Sequence, residues 1–171
     1  MLGDGDTALP VLDDLAEKEG FTGALYYLFR EPGRIIDERG YKVVEKAVNN
    51  PRAEIRITAT KLLLESKKIK KEKAEEIALG ILDSLKARTI KDYGYETIPE
   101  WPPTTNTQSD KLFSSDCRAC DYTISLLSEL KSSKAIPLLV SVRDQNTKWW
   151  FVCKRGAKDA IRTIEKKGDK K

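Results

Sequence analysis

The sequence predicts an all-α protein built as a solenoid of about four antiparallel helix pairs. Apolar residues recur at intervals of three and four along most of the chain, which is the helical period. No segment shows an alternating strand pattern of comparable strength, and a nine-residue pattern recurs along the chain. At 171 residues the chain fits one domain, which we place at 1–171.

Eight helical segments, the second of them nearly all apolar, are separated by residues that end or begin helices. Gly20 ends the first segment, and Pro32-Gly33 breaks the chain after the second. Asn50 is a good cap, and Pro51 suits a first helical turn because no amide donor is lost there. The predicted helices span residues 8–18, 21–30, 35–48, 51–66, 72–88, 116–130, 134–143 and 148–166.

One long interruption divides this series. Residues 91–115 contain three prolines and lack a helical period, so we expect an inserted loop there. The residues 168–171 are polar and terminal, and we expect them to be disordered.

The recurring pattern has an apolar residue at position 1, a small residue at position 5 and an apolar pair at positions 8 and 9. It begins at Ile55 and at Cys153, with a weaker copy from Ala119. The copies begin 64 and 34 residues apart, which suits a solenoid if the long loop is allowed for. Small residues at position 5 would let neighbouring helices approach closely.

Two segments resemble the HEAT repeat family in its short-repeat variety. The segment 126–139 resembles that family's helix end, turn and first helix, and Pro137 lies where many HEAT first helices carry a proline. Asn50-Pro51 followed by Ile55-Arg56 resembles the start of a HEAT second helix. The resemblance covers residues 45–66 and 119–163. It implies a right-handed solenoid whose second helices line a concave groove.

Several classes of enzyme are excluded or disfavoured by composition. The chain has no histidine, which excludes Ser-His-Asp and Cys-His catalysis and any His-ligated metal. Its paired carboxylates are adjacent in sequence, so they do not face each other on a helix. These pairs are Asp13-Asp14, Asp37-Glu38 and Glu75-Glu76. We therefore expect a non-enzymatic protein with no cofactor, although a carboxylate acting near Trp101 or Trp149 stays conceivable.

The three cysteines predict reduced, structural thiols. Cys117 and Cys120 form a C-x-x-C pair, but a zinc site needs two more ligands, and only Cys153 and carboxylates are left. An odd number of cysteines and an N-terminus without a secretory pattern favour a cytoplasmic protein. A redox or metal role of the pair is the minor alternative, and no metal site is predicted. No apolar run approaches the ~18 residues that span a membrane.

The first functional hypothesis is a scaffold or adaptor that binds a protein on the concave face. Long loops are often functional, and Tyr93, Tyr95 and Trp101 are residues of the type that dominate interface energetics. We expect the loop to border the groove with these three residues as anchors. In the alternative, the loop folds back and its aromatic residues cap the helical core.

The second hypothesis is a nucleic-acid-binding or DNA-processing protein. Residues 130–171 carry a net charge of +8, whereas residues 1–50 carry −4. Basic residues and one aromatic share a face of the last helix and could contact a phosphate backbone. They are Lys148, Phe151, Lys154, Arg155, Lys158 and Arg162. The competing interpretation is a solvated terminal face. A third hypothesis is self-association through residues 21–29, and the oligomeric state is left open.

Overall fold

The computed structural model describes residues 38–96, 107–144 and 151–166, and within these ranges the chain is helical without strands. This confirms the predicted all-α class. The six α-helices of these ranges are α1 (Glu38–Ala47), α2 (Ala53–Glu65), α3 (Lys71–Lys86), α4 (Gln108–Glu129), α5 (Ile136–Asp144) and α6 (Phe151–Glu165). Two short 3-10 helices, Ile90–Tyr93 and Ser133–Ala135, follow α3 and precede α5. Trp101, Lys148, the first two predicted helices and the tail 168–171 lie outside the described residues.

The predicted loop at 91–115 is wrong at both ends. Ile90–Tyr93 is a 3-10 helix, and α4 begins at Gln108 instead of Asp116. Thr107 caps α4: its hydroxyl accepts the Asp110 N–H at 3.1 Å, and the Asp110 carboxylate accepts the Thr107 N–H at 3.0 Å. This reciprocal box satisfies amides that the start of a helix leaves open. Asp116 therefore lies inside α4, where it is buried.

Helices α2, α4 and α6 lie side by side and run parallel, and for α6 the direction follows because Cys153 contacts Cys120 of α4 while Gly156, further along, lies beside Ile124. Glu54 of α2 pairs with Arg118 of α4, and further along Lys61 pairs with Glu129, so both helices advance in the same direction. Helix α4 also contacts α6, while α1, α3 and α5 pack against members of this row. Helix α3 contacts α5 as well. We define the outer face of the row of α2, α4 and α6 as the side that carries Glu54, Arg118 and Glu129.

The recurring sequence pattern forms the buried side of this row. Its small residues at position 5 are fully buried in all three helices, namely Ala59, Thr123 and Ala157. Its other apolar positions are also buried in every copy: Ile55, Leu62 and Leu63 in α2; Ala119, Leu126 and Leu127 in α4; Cys153, Ala160 and Ile161 in α6. Ala59 belongs to a cluster with Val44 and Ala47 of α1, so this small residue lies where α2 packs against α1.

Helix α2 contributes to two hydrophobic clusters. Ile57 and Ala53 belong to the larger cluster, which contains residues of α3, α4, α5 and α6. Ile55 and Leu63 belong to a second cluster with Val44 of α1. A helix that buries several sides has no single apolar stripe, which explains why α2 carries isoleucine, alanine and leucine around most of its surface.

Helices α2 and α4 end in the same way, with a lysine in the left-handed backbone region. Lys67 has φ 58° and Lys131 has φ 57°. In each turn the next amide donates to a carbonyl of the preceding helix, Lys68 N–H to Leu63 O at 2.8 Å and Ser132 N–H to Leu127 O at 3.1 Å. These are Schellman-type caps, in which glycine is the usual residue at the left-handed position.

We expect Lys67→Gly and Lys131→Gly each to raise the free energy of unfolding by up to about 1 kcal/mol. The left-handed conformation costs a residue with a Cβ about 1–2 kcal/mol, and the greater freedom of glycine in the unfolded chain offsets part of the gain. Urea denaturation measures the change. Ser66→Gly, one residue earlier at φ −78°, is the matched control and should give no gain. Equal destabilisation by all three changes would contradict the expectation.

Candidate functional site

Four exposed side chains of α4 form a ridge on the outer face, and one of them is aromatic. Arg118, Tyr122, Ser125 and Glu129 follow one another at intervals of four, three and four, so they lie on one side of the helix. Tyr122, the aromatic residue among them, is 37% exposed. We call these four residues the α4 ridge.

The first ridge residue is held in place by a buried carboxylate. Glu54 is only 6% exposed, and the Arg118 Nε and Nη2 donate to its two oxygens at 2.6 and 3.1 Å. The Ser115 hydroxyl donates to the same carboxylate at 2.6 Å. The hydrogen bonds to Glu54 raise the pKa of Arg118. Since a two-point contact fixes the guanidinium plane, Arg118 reaches the outer face in a defined orientation.

A second buried carboxylate, Asp116, holds the segment that follows α3. Asp116 is 1% exposed, and it accepts a hydrogen bond from the Tyr93 hydroxyl at 2.6 Å and another from Arg88. Burial raises the pKa of Asp116, even though Tyr93 and Arg88 act in the opposite direction. The carboxylate itself is buried, and it links the segment after α3, the 3-10 helix and α4.

Tyr93 is therefore not the surface anchor that the sequence suggested. It is 2% exposed, and its ring packs edge-on against Phe113 with 5.3 Å between ring centroids. Tyr95 is half-buried against the same ring at 5.8 Å, and its hydroxyl donates to Asp110. Burial and this hydrogen bond raise the pKa of Tyr95 to about 12. Both tyrosines cap the helical core, which is the alternative that the sequence also allowed.

The three cysteines lie together inside the protein as free thiols. Cys117 and Cys120 of α4 and Cys153 of α6 are buried. Contact with Cys120, together with burial, raises the pKa of Cys153, and burial raises the pKa of Cys117 and Cys120. Thiols that stay protonated are poor nucleophiles and poor metal ligands. Across the described parts of the chain, no three His, Cys, Asp or Glu residues are grouped to hold a metal ion.

The predicted basic face of α6 is partly balanced by nearby carboxylates. Arg162 lies 3.9 Å from Asp159. Arg143, which hydrogen-bonds to Asp144, and the more distant Lys154 lower the pKa of Asp144. Helix α6 begins at Phe151 and carries the predicted residues Phe151, Lys154, Arg155, Lys158 and Arg162. Arg155, Lys158 and Arg162 are exposed, whereas Lys154 is half-buried.

Sequence reasoning missed one residue of the outer face, Asp121. It is half-buried where α4 meets α6, and a Cβ built on Gly156 would lie 3.9 Å from its Oδ1 and 3.7 Å from Ile124. Burial raises the pKa of Asp121. A signal was available, because Asp121 occupies position 3 of the recurring pattern. In the α2 copy that position is Ile57, which is fully buried.

None of the helices described is long and apolar enough to cross a membrane. This finding concerns residues 38–96, 107–144 and 151–166 alone.

We expect Arg118→Ala to lower the free energy of unfolding by about 1–3 kcal/mol, because it leaves Glu54 buried with the Ser115 hydroxyl as its remaining donor among the contacts described above. Arg143→Ala is the matched control. Arg143 contacts Asp144 through the same two nitrogens at 2.7 and 2.8 Å, but both groups are well exposed. Exposed pairs contribute little. Urea denaturation in which both variants lose equal stability would contradict the role of burial.

We expect Asp121→Asn to stabilise the protein at pH 7. A carboxyl whose pKa is raised in the folded state makes folding less favourable as the pH rises through the window that begins at its ordinary value of 3.8. The gain from Asn should therefore be present at pH 7 and disappear below about pH 3.8. Urea midpoints at pH 3 and pH 7 measure it. The exposed Asp83→Asn is the control, and a lower midpoint for Asp121→Asn at pH 7 would disprove the assignment.

No protein-family model matches this chain, and neither the curated proteins nor the solved structures contain a match to it. What the protein does has to be inferred from its own surface and its own charges.

Proposed function

We propose that this protein is a non-enzymatic adaptor that binds a partner protein on the outer face of α2, α4 and α6. The proposal includes a HEAT-like, right-handed solenoid, in which these three helices are the second helices of successive pairs. Its support is the pattern of neighbours: α2 contacts α4, α4 contacts α6, and α3 contacts α5, as two layers of stacked helices require. The outer face is then the concave groove expected from the sequence.

Tyr122 is the observation that carries the proposal. Tyrosine and arginine are enriched among the residues that dominate binding energy at protein interfaces. Tyr122 is exposed on the α4 ridge one turn from Arg118, whose side chain is 50% exposed and already fixed by Glu54. A side chain that is ordered before binding loses less entropy when a partner arrives. The ridge thus combines an aromatic group with a preordered charge.

The ridge suits a protein better than a phosphate backbone. It carries Arg118 at one end and Glu129 at the other, so its charge is mixed. Phosphate binding depends on several cations that act together. On α6, Arg162 has Asp159 nearby, and Lys154 acts on Asp144. Nucleic-acid binding through Lys154, Arg155, Lys158 and Arg162 is therefore the second candidate.

A photoreactive benzoylphenylalanine at position 122 should give a discrete protein adduct in the native host. The same residue at position 80 is the control and should not. Gly80 is exposed on α3, and a Cβ there would meet no atom within 4 Å, so the substitution is tolerated sterically. With the identified partner purified, Tyr122→Ala should weaken Kd at least tenfold, about 1.4 kcal/mol.

Three outcomes separate the candidates. Equal adducts at both positions, or an unchanged Kd for Tyr122→Ala, would refute the proposed face. An adduct that nuclease removes, together with oligonucleotide binding that weakens as salt rises, would favour the second candidate. A discrete protein adduct at position 122 with weakened rebinding supports the adaptor.

A further inference from the structure

We infer that the partner inserts a basic side chain, lysine or arginine, into the seam between α4 and α6, where Asp121 binds it. The seam is defined by Asp121 and Ile124 of α4 and Gly156 of α6. The inference rests on the proposed function, because the seam is part of the same outer face. It goes further by specifying the chemistry of one partner residue.

The carboxylate of Asp121 has no compensating charge within the described residues. No hydrogen bond or ion pair of these residues involves it, although Arg118 and Arg155 lie on the same side of the row. Arg118 instead contacts Glu54 at 2.6 Å, and Arg155 is exposed. A half-buried carboxylate normally acquires a donor, since its desolvation is otherwise uncompensated. Among the residues that the structure describes, Asp121 is thus an acceptor without a donor.

The space beside Asp121 depends on the absence of a side chain on α6. Gly156 has an ordinary helical φ, so backbone conformation does not require glycine there. A Cβ would also fit, at 3.7 Å from Ile124 and 3.9 Å from Asp121. A longer side chain, however, would cover the carboxylate. Glycine weakens a helix interior, and at this position it leaves no side chain between the α6 backbone and Asp121.

A cationic side chain fits this seam better than a metal ion does. The seam offers one carboxylate, whereas Ca²⁺ and Mg²⁺ need several oxygen ligands. Lysine and arginine place a charge at the end of an apolar stem. Asp121 would accept a hydrogen bond from the charged end of such a side chain. A bound cation would also lower the pKa of Asp121, which reverses the effect of burial.

Selection from a random peptide library displayed on phage tests the inference with the intact chain. Peptides selected on the wild-type protein should share an arginine or lysine at one position. Synthetic copies should bind Asp121→Asn at least tenfold more weakly and Asp83→Asn with unchanged Kd. Replacing the shared arginine by citrulline, which keeps its shape without its charge, should cause the same loss. Gly156→Leu should also weaken binding, because it keeps the carboxylate but covers it.

Loss of folding cannot imitate the expected result, because Asp121→Asn is expected to be more stable than the wild type at pH 7. Peptides that depend on Tyr122 but bind Asp121→Asn with unchanged Kd overturn the inference and leave the adaptor proposal standing. Peptides that depend on neither residue, or a selection without binders, overturn both. A shared acidic or neutral position would likewise refute a cationic occupant.

Discussion

Close packing of three parallel helices is the constraint on which the other features depend. Helices α2, α4 and α6 lie in one row, and each buries a small residue at the same position of the recurring pattern, namely Ala59, Thr123 and Ala157. Once these helices are parallel, residues 64 positions apart, such as Glu54 and Arg118, come into register and form an ion pair. The ion pairs form between helices whose parallel arrangement depends on the volume of their buried side chains.

The row also decides where charge is costly and where it is useful. Glu54 of α2 and Asp116 of α4 are buried, and each has donors that hydrogen-bond to its oxygens. Asp121 is less buried but lacks such donors within the described ranges. Helix α4 therefore carries two kinds of carboxylate: Asp116, to which neighbouring elements donate hydrogen bonds, and Asp121, to which they do not within the described ranges. In our proposal, this difference distinguishes a structural carboxylate from one that binds a partner.

Local patterns in the sequence predicted much of the helical fold, because periodicity and packing volume act over short distances. The buried positions of the recurring pattern follow directly from its apolar and small residues. The start of α4 was not predicted correctly. Thr107 and Asp110 have the spacing of a capping box, but the preceding prolines favour a loop.

The candidate site was harder to predict than the helices. Tyr93 is of a residue type that often anchors protein interfaces. Its burial depends on contact with Asp116, which lies 23 residues away in the sequence. Asp121 and Gly156 lie on different helices, so their proximity depends on the packing of α4 against α6. The sequence around either residue does not show that the two lie close together.

The position of α2 between two hydrophobic clusters has a consequence for how the protein unfolds. In a stack of independent repeats, one end can open while the rest stays folded. Here Ile57 and Ile55, two residues apart, belong to different clusters. Opening either cluster removes support from the same helix. We therefore expect disruption at α1 to weaken the packing of α2 in both clusters, so that the described helices unfold together rather than pair by pair.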